Sequence, residues 1–254
     1  MSILTGKRLI PFRTQKLSPF RPMVVRLGES RLSPGIIKAG FDEKPAFSIF
    51  AVLSRVDDEV VKRICVYCGS GVGHLDGYAD AARAMGRAVA EAQMALVYGG
   101  GNIGMMGELA KSVLDAGGEV TGVIPQALFD RNLALASVTD MRIVRTMHER
   151  KALMAELADA FVAMPGGWGT LEEFFEIITW AQLKLHCKPC GLLNVHGYFD
   201  HLIRFVDYAV EQRFIDRVHR DLFCVEADPC SLLCRLRENV PGGARYDGGQ
   251  QSKV

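Results

Sequence analysis

The sequence contains no uninterrupted apolar run of the roughly 20 residues that a membrane-spanning helix requires. It also lacks a large excess of charge, because the formal net charge is only +1. That charge is unevenly distributed. Residues 1–40 hold eight Lys/Arg against the single acid Glu29, which leaves 22 basic and 28 acidic residues in the remainder. A mildly acidic remainder argues against a nucleic-acid-binding surface. We therefore expect neither a membrane nor a nucleic acid as a partner.

The cysteine spacing lacks the framework of a zinc site. The chain has two C-x-x-C pairs, Cys65/Cys68 and Cys187/Cys190, but more than a hundred residues separate them, against roughly 15 to 20 in the common zinc pattern. The first pair lies in the apolar run RICVYCG, a predicted strand, and residues three apart on a strand point to opposite faces. We expect small buried thiols and no metal. Seven unpaired cysteines suit a reducing compartment, which favours a cytoplasmic location.

The chain divides into three parts by pattern. Residues 1–60 show no sustained hydrophobic period and are broken by proline, so we expect an extension that is largely irregular or disordered. Because its start is rich in arginine and poor in acids, an organellar targeting peptide is the alternative, and both interpretations stay open. Residues 61–240 are predicted to form the one folded domain, and residues 241–254 a disordered tail.

Strand-like and helix-like segments alternate through the folded part. Seven short apolar runs, the first RICVYCG and the last LFCVE, are separated by segments with helical spacing of apolar residues. Continuous apolar strands alternating with helices predict an α/β fold: a single doubly wound, Rossmann-like parallel sheet with helices on both faces. Ligands of such sheets bind at the carboxyl ends of the strands. Three glycine-rich loops follow strand ends, at residues 69–73, 99–104 and 165–170, and favour a ligand the size of a nucleotide or phosphate.

The loop GGGNIG at residues 99–104 matches the G-x-G-x-x-G pattern of dinucleotide-binding proteins. It follows the second predicted strand, whereas that pattern belongs after the first. The acidic residue that binds a ribose hydroxyl should end the next strand, but Glu119 begins it. The pattern therefore does not indicate NAD(P).

The segment PGGWGTLEE is more specific. Glycines let the backbone approach a ligand closely, and the helix predicted to begin near Thr170 offers unpaired N–H groups to a phosphate. Thr170 and Glu173 also have the spacing of a capping box, in which they would only close the first turn. The residues alone leave both interpretations open.

The segment MHERKALM places Arg150 and Lys151 in about the first turn of a predicted helix. Cations there oppose the helix dipole, so this placement is unfavourable unless an anion faces them. His148 is interpreted as a surface or capping residue.

Together, GGGNIGMMG, MHERK and PGGWGTLEE resemble the Lonely Guy (LOG) family, cytokinin riboside 5′-monophosphate phosphoribohydrolases long labelled lysine decarboxylases. The resemblance covers about residues 63–239. It implies a homodimer or larger homo-oligomer that needs no cofactor. The implied reaction hydrolyses the N-glycosidic bond of an adenosine 5′-monophosphate, with or without an N6 substituent, and releases the base and ribose 5-phosphate.

The same resemblance implies the roles of individual residues. Arg150 and Glu173 would be the catalytic pair. The residues implied to bind substrate are Ser70, Gly100, Gly101, Lys151, Gly167, Trp168, Gly169, Thr170 and Thr179. Plant members often carry a glutamate where this sequence has Asn132, which bears on how the base is held.

Two other functions remain at this point. A pyridoxal-phosphate-dependent decarboxylase would need a Schiff-base lysine, and Lys151 is the one lysine beside these motifs. A nucleotide-binding sensor would use the same pocket without turnover.

Overall fold

The computed structural model describes residues 61–239, which form one sheet of seven parallel strands. The predicted extension at residues 1–60 and the predicted tail at residues 241–254 lie outside the described residues. In chain order the strands are β1 (Arg63–Tyr67), β2 (Ala95–Tyr98), β3 (Val120–Pro125), β4 (Asp140–Val144), β5 (Ala160–Ala163), β6 (Cys190–Leu193) and β7 (Phe223–Glu226).

The helices connect successive strands. They are α1 (Asp76–Glu91), α2 (Gly104–Asp115), α3 (Gln126–Phe129), α4 (Met147–Leu157), α5 (Trp168–Gln182), α6 (Asp200–Glu211), α7 (Arg217–Arg220) and α8 (Pro229–Glu238), with one 3₁₀ turn at Val195–Gly197. Helix α3 is only four residues long. None of the described helices is long and apolar enough to cross a membrane.

Helices pack on both faces of the sheet because its strands are apolar on both sides. In β1, Ile64 and Val66 join the core beneath α1, α2 and α8, whereas Cys65 and Tyr67 join the core beneath α4, α5 and α6. The predicted doubly wound α/β fold is confirmed. Cys68 belongs to the first of these cores, so the two thiols of the C-x-x-C pair lie on opposite faces, as the strand geometry predicts.

The strand order is β4-β3-β2-β1-β5-β6-β7, so the direction of winding reverses between β1 and β5. The loops that follow these two neighbouring strands leave the sheet in opposite directions and open a crevice between them. A hydrogen bond from Gly69 N to Pro165 O, 3.0 Å long, joins the two loops directly. This topological switch point brings the first and third glycine-rich loops together, although nearly a hundred residues separate them along the chain.

Candidate active site

Arg150 owes its position to a capped helix start. Thr146 is the N-cap of α4, and its hydroxyl accepts a hydrogen bond from Glu149 N at 3.1 Å. The Glu149 carboxylate reaches back and accepts from Arg145 N at 2.8 Å. The first bond satisfies an amide of the first turn that has no partner within the helix, and the second fixes the residue that precedes the N-cap. Arg150 follows as the fourth helical residue and points into the protein, where it is only 9% exposed.

Three groups hold the Arg150 guanidinium at the carboxyl edge of the sheet. Its Nε donates to Val123 O at 3.0 Å, its Nη2 donates to Gly99 O at 3.2 Å, and its Nη1 lies 3.2 Å from Glu173 Oε1. The predicted anionic partner of Arg150 is therefore present. Gly99 was not among the predicted site residues, yet a Cβ there would lie 1.9 Å from Nη2. The absence of a side chain at residue 99 makes room for the guanidinium. The contact with Val123 O could not be predicted from the sequence, because no motif marks a backbone carbonyl within a strand.

Helix α5 starts earlier than the sequence pattern suggests. Its N-cap is Gly167, which has extended backbone and makes no side-chain cap, and its first residue is Trp168. Thr170 is consequently the third helical residue and Glu173 the sixth, so the capping-box interpretation of this pair is wrong. A capping threonine must precede the helix, and here the glycine turn occupies that place. Both side chains are instead buried on the inner side of α5.

The Glu173 carboxyl has an unusual electrostatic environment. Burial raises its pKa, and the attraction of Arg150 lowers it by less, so the net pKa lies above that of an ordinary glutamate. The loss of hydration on burial therefore outweighs the attraction of this single neighbouring cation. The neighbouring Glu172 adds a further, smaller upward shift. A carboxylate of raised pKa is a better proton acceptor than one on the surface.

The two glycine loops at the switch point enclose a cavity of about 340 Å³. Its wall consists of residues 69–73, residues 165–167 and the side chains of Tyr78, Met105 and Tyr198. A Cβ on Gly166 would lie 2.1 Å from Thr170 Oγ1, so the loop packs directly onto the first turn of α5. Helix α5 therefore begins at the cavity, and Glu173 follows one helical turn after Thr170.

The remaining predicted residues fall into three groups. Ser70 and Gly167 line the cavity. Gly100 and Gly101 are buried and do not line this cavity; Gly100 adopts a φ of +76°, and Gly101 forms a β-bridge with Ala134.

Trp168 and Thr179 are exposed. Trp168 is 88% exposed, and Gly169 beside it has open space where a Cβ would be. The Thr179 hydroxyl donates to Phe175 O of its own helix at 2.7 Å, so within the described chain it is not aimed at the cavity.

A larger groove of about 800 Å³ lies at the opposite edge of the sheet, around the first residues of β6 and β7. Its basic side chains already have partners: Lys188 Nζ donates to Ala155 O at 2.8 Å, and Arg235 pairs with Glu226 at 2.6 Å. Among the described residues no group of three or more His, Cys, Asp or Glu side chains could hold a metal ion. The crevice at the switch point is the better candidate for catalysis, because Gly167 lines its cavity and begins the helix that carries Glu173.

Comparison with known proteins identifies the family. A family model described as "Possible lysine decarboxylase" matches residues 106–236. A probable cytokinin riboside 5′-monophosphate phosphoribohydrolase of Oryza sativa subsp. japonica, LOGL9, is 51% identical over 180 residues, which are 71% of this chain and 79% of the relative. The chain belongs to the LOG family. LOG3 of Arabidopsis thaliana, named a cytokinin riboside 5′-monophosphate phosphoribohydrolase, is 47% identical over 71% of this chain and 84% of its own.

Solved structures extend the likeness of fold beyond the LOG family. The molybdenum cofactor carrier protein of Chlamydomonas reinhardtii has a TM-score of 0.55 and 21% identity, covering 71% of this chain and 98% of its own. The molybdenum cofactor binding protein of Rippkaea orientalis has the same TM-score and 19% identity, covering 72% and 99%. At this level of identity the comparison concerns the fold alone.

The family model is described as a lysine decarboxylase, whereas the curated relatives are named phosphoribohydrolases, and the two reactions need different chemistry. The surroundings of Lys151 distinguish between these two reactions. Its Nζ donates to Glu172 and, at 3.1 Å, to Glu176. Burial lowers the pKa of Lys151, but these two hydrogen bonds outweigh it and the net shift is upward. A Schiff-base lysine has to become a neutral nucleophile, which a raised pKa opposes. The same two carboxylates pair with the Lys151 ammonium, and its predicted contact with the substrate stays a prediction.

Asn132 has a specific backbone role. It adopts a φ of +56°, a conformation that asparagine tolerates better than most residues. Its carbonyl accepts from Asn102 Nδ2 at 3.3 Å, and Asn102 N donates to Leu133 O at 3.0 Å. The second glycine loop is thereby tied to the segment before β4.

Proposed function

We propose that this protein hydrolyses the N-glycosidic bond of an adenosine 5′-monophosphate, with or without an N6 substituent, and releases the free base and ribose 5-phosphate. The observation that carries the proposal is the buried pair of Arg150 and Glu173, one helical turn beyond an open, glycine-lined helix start. The names of the curated relatives, cytokinin riboside 5′-monophosphate phosphoribohydrolases, agree with this chemistry.

The start of α5 would bind the 5′-phosphate. The N–H groups of residues 167–170 have no acceptor within the helix, and Gly167 supplies no side-chain cap. These donors and the positive end of the helix dipole favour a phosphate, and the glycines let it approach the backbone. Phosphate binding at a point remote from the scissile bond orients the ribose for reaction.

Glu173 would act on the ribose. Hydrolysis breaks the bond between C1′ and the base nitrogen, water supplies the new C1′–O bond, and the departing base takes up a proton. The transition state resembles an oxocarbenium ion, as in glycoside hydrolysis, and the ionised Glu173 stabilises its positive charge or accepts a proton from the attacking water. Arg150 holds the Glu173 carboxylate in place. The guanidinium can do so because its other two hydrogen bonds fix it to Val123 O of β3 and to Gly99 O just after β2.

The proposal is tested by incubating the purified full-length chain with AMP, isopentenyladenosine monophosphate and the two corresponding nucleosides, and separating the products by chromatography. We expect base release from the nucleotides and none from the nucleosides. Equal turnover of nucleotides and nucleosides would contradict the phosphate anchor. Tight AMP binding without base release would instead identify a nucleotide sensor.

The proposal includes a homodimer or larger homo-oligomer. Three aromatic side chains on and after α6, Phe205, Tyr208 and Phe214, are more than half exposed, and Phe175 of α5 is 39% exposed. Aromatic residues are enriched in interfaces and rare as a group on a monomer surface. Light scattering coupled to size-exclusion chromatography is expected to give at least twice the chain mass, and Phe205→Asp is expected to reduce it. A wild-type chain that elutes as a monomer at all concentrations would overturn this assembly.

The cytoplasm is the proposed location. All seven cysteines are free thiols, and burial raises the pKa values of Cys65 and Cys68. Such thiols persist unmodified in a reducing compartment. A full-length fluorescent fusion found in an organelle would favour the targeting-peptide interpretation of residues 1–60.

A further inference from the structure

We propose that Tyr198 is a positioning residue for the phosphate-binding turn, an inference that rests on the proposed function of that turn. Tyr198 follows the 3₁₀ turn after β6, outside every motif that identified the site. Its hydroxyl donates a hydrogen bond of 2.5 Å to Gly166 O, a carbonyl on the loop between β5 and α5.

The bond controls a group that faces the substrate. The Gly166 carbonyl and the Gly167 N–H belong to one planar trans peptide unit, so the orientation of one sets the orientation of the other. Gly167 is the N-cap of α5, and its N–H is the first of the unpaired donors. No heavy atom lies within 4 Å of the place where a Cβ on Gly167 would be. The peptide is open on the Gly167 side and packs against Thr170 and Gly69 on the Gly166 side, and the tyrosine hydroxyl is a further restraint on its rotation.

Ring packing fixes Tyr198 itself. Its ring meets Phe199 edge-on with centroids 4.9 Å apart, and meets Tyr78 edge-on at 5.8 Å. Tyr78 in turn lies against Gly73 of the first glycine loop, where a Cβ would approach its Cδ2 to 2.7 Å. The two tyrosines thus contact both loops of the cavity. Since these ring contacts do not need the hydroxyl, Tyr198→Phe removes the bond to Gly166 and preserves the packing.

The experiment compares the wild-type chain with Tyr198→Phe. The matched control is Tyr208→Phe, because Tyr208 is 55% exposed on α6 and phenylalanine keeps the aromatic ring that the proposed subunit interface uses. Calorimetry measures the binding of inorganic phosphate and of ribose 5-phosphate. Losing one neutral hydrogen bond that orients a donor corresponds to an affinity loss of roughly threefold to tenfold. We expect that loss for both anions and a similar rise in KM for the nucleotide. The kcat should stay within about twofold, inhibition by free adenine should not change, and Tyr208→Phe should match the wild type.

Unchanged affinity for both anions in Tyr198→Phe would overturn the inference, as would a wild-type chain that binds neither anion. Equal weakening of ribose 5-phosphate and of adenine would also overturn it, because a general distortion of the site would have replaced the specific effect. The binding measurement needs no turnover. A wild-type chain that binds the anions but releases no base would contradict the proposed reaction, while the comparison of variants would still decide the role of Tyr198.

Discussion

Replacing Glu173 with glutamine separates the proposed chemistry from the stability of the fold. The substitution keeps the size of the side chain and an oxygen that can accept from Arg150 Nη1, but it removes the negative charge. Arg150 also retains its hydrogen bonds to Val123 O and Gly99 O. Glu173→Gln is therefore a change of charge within a site that is otherwise preserved.

The expected loss of activity follows from the burial of Glu173, which is only 8% exposed. A carboxylate about 4 Å from a developing positive charge, at an effective dielectric constant of about 20, stabilises it by about 4 kcal/mol. Since about 1.4 kcal/mol corresponds to a factor of ten in rate, kcat should fall by about a thousandfold.

The free energy of unfolding of Glu173→Gln should change little, in contrast to its activity. An unpartnered buried cation costs about 3–5 kcal/mol, but Arg150 keeps three oxygen acceptors in this variant. Burial already raises the pKa of Glu173, so the ionised carboxylate opposes folding near pH 7. We expect the free energy of unfolding of Glu173→Gln to lie within about 1 kcal/mol of the wild-type value or above it.

The pH dependence gives the sign of this effect. A carboxyl whose folded pKa is raised contributes stability that is complete below its unfolded pKa of about 4.3, and this contribution is lost as the pH rises through the folded pKa. The stability of the wild type relative to Glu173→Gln should therefore fall over that range in urea denaturation. Base release at saturating nucleotide measures kcat, and the control is Glu91→Gln, the same change of charge at an exposed residue at the end of α1. The reasoning is refuted if Glu173→Gln retains more than a tenth of the wild-type rate, or if it loses activity only because it is unfolded at the assay temperature.

Three further predictions concern the surroundings of the pair. Gly99→Ala would place a Cβ 1.9 Å from Arg150 Nη2 and should lower kcat/KM at least about tenfold by displacing the guanidinium; steady-state kinetics that match the wild type would contradict this. A Cβ on Gly169 would meet open space, so Gly169→Ala should raise the free energy of unfolding by about 0.5–1 kcal/mol. Its KM for the nucleotide should rise because the methyl group obstructs the phosphate, and an unchanged KM would mean that the phosphate binds elsewhere. Glu172→Gln removes a like charge that raises the pKa of Glu173, so the acid limb of the pH profile of kcat/KM should move to lower pH; a shift to higher pH would refute the assignment of that limb.

The helix starts illustrate where sequence patterns are ambiguous. Both Thr146-x-x-Glu149 and Thr170-x-x-Glu173 have the spacing of a capping box, and only the first is one. The difference arises from the preceding chain. A glycine turn after β5 begins α5 at Trp168, so Thr170 and Glu173 become interior residues. Local spacing could not reveal this, because the turn is defined by its contact with the loop after β1.

The sequence by itself determined the alternation of strands and helices, the parallel sheet with two covered faces, and the three glycine loops at its carboxyl edge, because hydrophobic periodicity and glycine content are local properties. It also indicated that Arg150 requires an anionic partner. Only the tertiary structure decided that Glu173 is this partner, that Lys151 is occupied by two other carboxylates, and that Tyr198 reaches Gly166. Those outcomes depend on strand order and on burial, which bring together residues far apart in the chain and change their hydration.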